Sequence, residues 1–435
     1  MRALTRWGMG MMLLFTATLA QAAPPAQTAA ALLDHLQAGE ATAAEAMFTP
    51  EMAKAVPAAQ LQALWQSFGA LQDRGAAQVT ARGEVSVVTQ RLRFAVGDID
   101  TQVAVDAGGR VAGLNFKPAT AQAPPAPPVP ADASFQELPF DVVSDKGALP
   151  GTLALPKGKG PFRAVVLVHG SGPQDRDETI GPNRPFLDVA RGLAAHGIAV
   201  LRYEKRTKAR PQEFSGNDYT MDDETTNDAV AAVAAVAGLA KAPGIDAHHV
   251  YVMGHSQGGM LAPRIAQRSG KVAGLVLWSA PARSLLAVLP EQNRYLLGLD
   301  GSISADDQAI LDKLDGQIAA ARGTAPVAAK DLPLGVPASY WRAFENIDPV
   351  ADAKASALPI LLLQGGRDFQ VVDTDWQLWQ HGLARQRQVS FKHYPAVNHL
   401  GVAGQGPGSL QEYNTPGNVL PQLVDDVAQW IEAQR

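Results

Sequence analysis

The sequence predicts an α/β fold with a mostly parallel central sheet and a helical insertion, preceded by a small α+β domain. Three observations predict it. Between residues 134 and 435, continuous apolar runs alternate with helical stretches, the pattern of parallel strands buried on both faces. Before residue 119 the order is different: Ala-rich helical spacing comes first, then short alternating runs broken by Gly. Between the two halves, residues 119–133 are dense in proline and hold one bulky apolar residue, Val129, so this segment reads as an extended linker.

Residues 1–22 carry Arg2 and Arg6, an apolar stretch from Trp7 to Ala20 and the small-residue ending Ala20-Gln21-Ala22. That is the layout of a secretory signal peptide, with cleavage expected after Ala22 and no stable membrane insertion afterwards. The expected location is periplasmic or secreted. The chain has no cysteine, which excludes disulfides and a lipidated N-terminal cysteine. A formal charge of −5 gives no electrostatic reason to expect nucleic acid or an anionic membrane as partner, and points to small molecules instead.

Residues 23–118 form the small α+β domain. Leu61, Leu64, Trp65 and Phe68 fall at i, i+3, i+4 and i+7 of a helix. Val85–Val88, Leu92–Val96, Thr101–Val105 and Val111–Phe116 read as strands of a meander, the last entered through Gly108-Gly109. No acid pair, His cluster or nucleophile motif stands out there.

The chemistry lies in residues 134–435. Strands are expected at Ala164–Val168, Ile198–Leu201, Val250–Met253, Leu275–Trp278, Ile360–Leu363 and Val389–Tyr394, with a helix over Asp228–Leu239. Immediately after the third of these strands comes Gly254-His255-Ser256-Gln257-Gly258, followed by a helical stretch whose first turn is expected to hold Pro263. A serine between two glycines at a strand-to-helix turn exposes its hydroxyl above the sheet, so the pentapeptide reads as a nucleophile elbow. The same pattern also occurs in ordinary loops and helix caps; the surrounding strand and helix favour the elbow.

A serine hydroxyl needs a base, and the base needs an orienting acid. Asp368 lies just past the strand Ile360–Leu363, and His399 just past Val389–Tyr394. Competing groups are weaker: His393 lies inside a strand and is expected to point into packing, His381 sits on the preceding helix, and Asp373 and Asp375 fall where a helix begins and an acid ordinarily caps. His255 is expected to pack beside the elbow. Backbone amides of Gln257 and of Ser171, in the loop His169-Gly170-Ser171-Gly172-Pro173, are the expected oxyanion donors. That loop lacks the spacing of a phosphate cradle. Asp175, Arg176, Asp177 and Arg206 read first as ion pairs and caps, with Arg176 as a substrate contact the alternative.

The insertion of about 283–346 has helical character over Leu285–Leu299, Ala305–Ala321 and Ala338–Phe344, with Ile310, Leu311, Leu314 and Ile318 on one face. It is expected to cap the nucleophile and limit substrate size. Tyr340, Trp341 and Phe344 read first as core, with acyl-pocket residues the alternative.

His169 through Asp177, Thr179 through Phe186 and Leu201-Arg202-Tyr203-Glu204-Lys205-Arg206, taken with the elbow, resemble the EstD-type esterases of the α/β-hydrolase superfamily over about residues 134–435. The resemblance implies an α/β-hydrolase fold, carboxylester hydrolysis best on short acyl chains, no cofactor, and a triad of Ser256, Asp368 and His399. The leading domain resembles the small cystatin-like domains before some exported hydrolases. A serine peptidase or an amide or thioester hydrolase of the same fold is the nearest alternative, and a non-catalytic exported binding protein is an alternative of another class. A metalloenzyme is not expected, because no H-E-x-x-H or comparable cluster occurs.

Overall fold

The structure, a computed structural model, describes residues 23–94, 97–119, 125–215, 218–239 and 244–434. The proposed signal segment 1–22 lies outside the described residues. The chain divides into two compact units, residues 1–120 and 121–435.

The first unit has helices α1 (Pro25–Ala38), α2 (Ala41–Ala46), α3 (Pro50–Ala55) and α4 (Ala58–Ser67). They precede strands β1 (Leu71–Arg74), β2 (Gln78–Arg82), β3 (Val85–Phe94), β4 (Gly97–Asp106) and β5 (Val111–Pro118). All neighbours are antiparallel, with β1 and β2 both pairing β3 and the sheet continuing through β4 to β5. The two expected strands Val85–Val88 and Leu92–Val96 are one strand over the described residues. The intervening Thr89, Gln90 and Arg91 do not break it, because they pair in register with Gln102, Thr101 and Asp100 of β4. Leu61 and Trp65 are buried as expected, whereas Leu64 is 44% exposed: the ten-residue α4 buries a stripe narrower than its apolar spacing suggests.

In the second unit the first strands are β6 (Phe135–Pro139), β7 (Val142–Ser144), β8 (Gly147–Leu149), β9 (Gly151–Pro156), β10 (Phe162–Val168) and β11 (Ala199–Tyr203). They are followed by β12 (Ile245–His255), β13 (Gly274–Trp278), β14 (Ile360–Gly365) and β15 (Val389–Tyr394). Eight of them form one sheet in the order β15-β14-β13-β12-β10-β11-β9-β6, parallel from β15 to β11 and antiparallel at β9 and β6. β7 and β8 pair only with each other.

Helices α5 (Pro185–Ala195), α6 (Arg206–Ala209), α7 (Asn227–Ala237) and α8 (Gln257–Ser269) lead to α9 (Leu285–Leu297), α10 (Ala305–Arg322) and α11 (Ala338–Glu345) of the insertion. Helices α12 (Pro349–Ser356), α13 (Asp373–Leu383) and α14 (Pro421–Ala433) complete the unit. Alternate residues of the central strands feed two cores. Val166 and Val168 pack with α7 and α8 on one face; Val165 and Leu167 pack with α5 and α14 on the other. Both faces are therefore covered, which is why these strands read as unbroken apolar runs.

Three local expectations are corrected. Pro263 lies inside α8 and not in its first turn, because the helix starts immediately at Gln257. Ile310 is 50% exposed while Leu311 and Ile318 are buried, so α10 turns a different edge inward. Val129 and Ala133 pack against the core of the second unit, so the end of the proline-rich segment is docked rather than free.

Candidate active site

The elbow is built from sterics. Ser256 has φ 52° and ψ −121°, a strained conformation for a residue with a side chain. The flanking glycines permit it: a Cβ on Gly254 would collide with the backbone of Gly258, and one on Gly258 with the carbonyl of Val168. The Ser256 N–H donates to the Trp278 carbonyl at 2.9 Å, anchoring the turn to the next strand. The side chain is half-buried, and its hydroxyl has no hydrogen-bond partner among the described residues.

Asp368 and His399 are brought together. His399 Nδ1 lies 2.7 Å from Asp368 Oδ2, and both side chains are buried. Asp368 Oδ1 accepts from the N–H groups of Gln370 and Val371, both at 2.9 Å, so the turn after β14 orients the carboxylate before it meets the imidazole. His399 is presented by a similar device: Asn398 Oδ1 accepts from the N–H groups of Leu400 and Val402. His255, the chain neighbour of Ser256, donates from its ring Nε2 to the His399 carbonyl at 2.9 Å. The loop after β10 closes the other side. A Cβ at Gly170 would lie 3.2 Å from that of Ser256.

The N–H groups of Ser171 and Gln257 have no acceptor among the described residues, while that of Gly170 is taken by Glu178 Oε1 at 2.6 Å. The loop after β10 and the start of α8 therefore each offer a free donor beside the elbow. Among the described residues, no three His, Cys, Asp or Glu side chains gather as metal ligands.

The competing groups are placed elsewhere. Asp375 is fully buried and accepts from the backbone of Ala282 and Arg283 and from the Arg283 guanidinium. His381 sits in the last turn of α13. His393, expected to point into packing, is exposed, because β15 is the sheet edge; its ring rests 5.8 Å from that of Trp376. Arg176 is engaged by its own fold. Its Nε donates to Glu204 at 2.8 Å, and its Nη1 to Thr152 Oγ1 at 2.9 Å and the Gly151 carbonyl at 3.0 Å. Asp177 pairs with Arg184 and Arg202, and Arg206 with Asp228.

Sequence reasoning missed three buried charged residues at the site. Glu178, with φ 51°, holds the Gly170 N–H and His255 Nδ1 together. Burial alone would raise its carboxyl; the His255 charge and hydrogen bond outweigh that and hold it below the usual range. Lys205 and Glu224 form a second buried pair at 2.9 Å. The available signal was position: Lys205 stands just beyond the end of β11, at the same rim as Ser256 and Asp368.

This sheet order, with a strained serine after a central strand and the cap helices inserted after β13, defines the α/β-hydrolase class. The chain belongs to the alpha/beta hydrolase family, whose model matches residues 165–405. It is 38% identical over 352 residues to Esterase EstD of Thermotoga maritima, covering 80% of each chain. Among solved structures, the Pyrococcus furiosus esterase Pf2001 matches with a TM-score of 0.45 at 16% identity, covering 74% of this chain and 99% of that one. Est1E from Butyrivibrio proteoclasticus matches with 0.43 at 17%, covering 68% and 98%.

Proposed function

We propose that the protein is a serine carboxylesterase acting on small or short-acyl esters through an acyl-enzyme on Ser256. The observation that carries this reading is the buried Asp368–His399 hydrogen bond, taken with the strained backbone of Ser256 at the strand-to-helix turn. The similarity to a protein named an esterase supports ester over amide substrates.

In this reading His399 Nε2 takes the Ser256 proton as Oγ bonds to the ester carbonyl carbon, and the carbonyl electron pair moves onto oxygen. The Ser171 and Gln257 N–H groups bind that oxyanion. Collapse breaks the bond to the alcohol oxygen, which leaves with the proton from His399. Water then gives a proton to His399 and attacks the acyl carbon; Ser256 departs, regains the proton, and the carboxylic acid is released. Asp368 keeps the Nδ1 proton of His399 in place and stabilises the imidazolium. Hydrogen bonds in such sites often close only when substrate is bound, so an unpaired Ser256 hydroxyl suits the free enzyme.

A panel of acyl esters, aminoacyl amides and thioesters, assayed with wild type and Ser256→Ala, tests this. Short-chain esters should be turned over fastest, and the substitution should abolish both turnover and fluorophosphonate labelling. Labelling that survives in Ser256→Ala, or an amide cleaved faster than every ester, overturns the proposal. The segment 1–22 is proposed as a secretory signal, giving a periplasmic or secreted enzyme. The mature protein should begin at Ala23; a mature chain beginning at Met1 contradicts it.

A further inference from the structure

The peptide group between Gly170 and Ser171 is gripped by a buried ammonium. Lys205 Nζ donates to the Gly170 carbonyl at 2.7 Å. That carbonyl and the Ser171 N–H belong to one peptide unit, and the Gly170–Ser171 bond is not among the cis peptides. In a trans peptide the two groups point in opposite directions. Fixing the carbonyl on Lys205 therefore aims the Ser171 N–H away from it, and a cation on the carbonyl oxygen draws electron density from the amide, making the N–H a stronger donor. On the other side of Gly170, its own N–H is fixed by Glu178.

The cost of placing Lys205 here is high. Its side chain is 2% exposed, and its counter-ion Glu224 is 6% exposed. A buried ion pair is a poor route to stability, since desolvation offsets the attraction. Glu224 is nevertheless fully engaged: Oε1 takes Lys205, while Oε2 accepts from Tyr340 of the cap helix α11 at 2.8 Å and from the Gln257 side chain at 3.0 Å. Burial and the Glu224 charge hold the Tyr340 hydroxyl well above the usual tyrosine range, so it stays a donor. The chain of contacts thus runs from the cap, through Glu224 and Lys205, to the backbone beside Ser256.

We infer that Lys205 is a positioning residue for oxyanion binding: anchored by Glu224, it sets the Gly170–Ser171 peptide so that the Ser171 N–H is pre-aimed at the developing negative charge. This rests on the proposed reading of Ser256 as nucleophile and Ser171 as donor. Preorganisation of this kind lowers the barrier because the donor need not reorient as charge appears.

The test compares wild type with Lys205→Met and with Lys205→Met/Glu224→Gln, the second removing both buried charges so that neither is stranded. Active sites are counted with a fluorophosphonate, turnover is measured on p-nitrophenyl acetate, and inhibition by a trifluoromethyl ketone reports oxyanion binding. In both variants, kcat per titrated site should fall about 10- to 100-fold, short of the roughly 100- to 1000-fold seen when a donor is deleted outright. KM should stay within about twofold, and ketone affinity should fall in parallel with kcat/KM. Fewer titratable sites with wild-type kcat per site would mean a purely structural role and overturn the inference. So would a raised KM with unchanged kcat. Either result, with Ser256→Ala inactive, leaves the esterase reading standing; an active Ser256→Ala overturns that reading itself.

Discussion

His255 Nε2 lies 2.9 Å from the backbone carbonyl of His399, and the two imidazole rings stand 4.6 Å apart. A carbonyl can only accept, so this nitrogen carries a proton. Nδ1 faces Glu178 Oε2 at 2.8 Å, and a carboxylate also accepts, so the imidazolium is the form that satisfies both sides. Burial opposes that charge, but Glu178 and the two hydrogen bonds hold His255 above the usual imidazole range. His255 thereby ties the loop that carries His399 to the loop after β10 that carries Glu178.

Removing this tie should therefore cost both stability and turnover. His255→Ala leaves Glu178 as an uncompensated buried charge, with an expected loss of about 3–5 kcal/mol. Adding Glu178→Gln should restore part of the stability but not the geometry, so kcat per titrated site should stay at least about tenfold down in the double variant. Urea unfolding and active-site-titrated kinetics check the two halves separately. Full recovery of kcat in the double variant would contradict the positioning role.

Asp368→Asn is expected to fold normally and to be nearly inactive. The Asn carbonyl oxygen can keep the N–H groups of Gln370 and Val371, but its amide then faces His399 Nδ1 and favours the wrong tautomer. A loss of about 10,000-fold in kcat, with KM little changed, is expected. Steady-state kinetics on the variant, with its melting temperature as control, measure this.

The parts of the site that could be read from the sequence share one physical origin. Ser256 and Asp368 each follow a strand with an apolar run, because strands buried on both faces must be apolar and polar groups collect at their ends; His399 follows the half-exposed edge strand β15 and was legible only by its place after that strand. β6 and β9 were not legible: they are the two short antiparallel strands that end the sheet, bounded by Pro139, Gly151 and Pro156, and too brief for a continuous apolar signature. Glu178, Lys205 and Glu224 were hidden for another reason. A charge is buried only where a partner satisfies it, and the partner of Glu178 lies 77 residues away, beyond any local spacing rule. His393 misled in the opposite direction, since a strand position does not say which strand closes the sheet.

Arg176 should prove a fold residue. Its guanidinium joins the loop after β10 to β9 and to Glu204, with 31% of the side chain exposed, so its contribution is discounted for solvent. Arg176→Ala is expected to lower stability by about 1–2 kcal/mol, while the ranking of ester substrates stays as in wild type. A reordered preference among acyl chains or anionic esters, at unchanged stability, would restore the substrate-contact role.

The acid limit of stability should depend on His169. Its ring is buried between Phe186 and Tyr203, and Nε2 donates to the Asp175 carbonyl at 3.0 Å. Burial pushes it down from 6.5 to about 4, against the pull of Glu178 and with the help of Lys205. The unfolded chain thus takes up this proton first as pH falls. The stability it allows is complete above pH 6.5, declines toward pH 4 and is level below that, a change of about 3 kcal/mol in all. His255 has the opposite sign: its raised value contributes below the ordinary imidazole range and is lost as pH rises through the folded value. Because the two oppose each other, a variant of His169 alone isolates its effect. His169→Gln should keep a donor near Asp175 and flatten the acid limb, so its stability relative to wild type should improve by about 2–3 kcal/mol on going from neutral pH to near pH 4.5. Urea midpoints at the two pH values measure the change, and parallel pH dependence in the two proteins would show that His169 is not the group responsible.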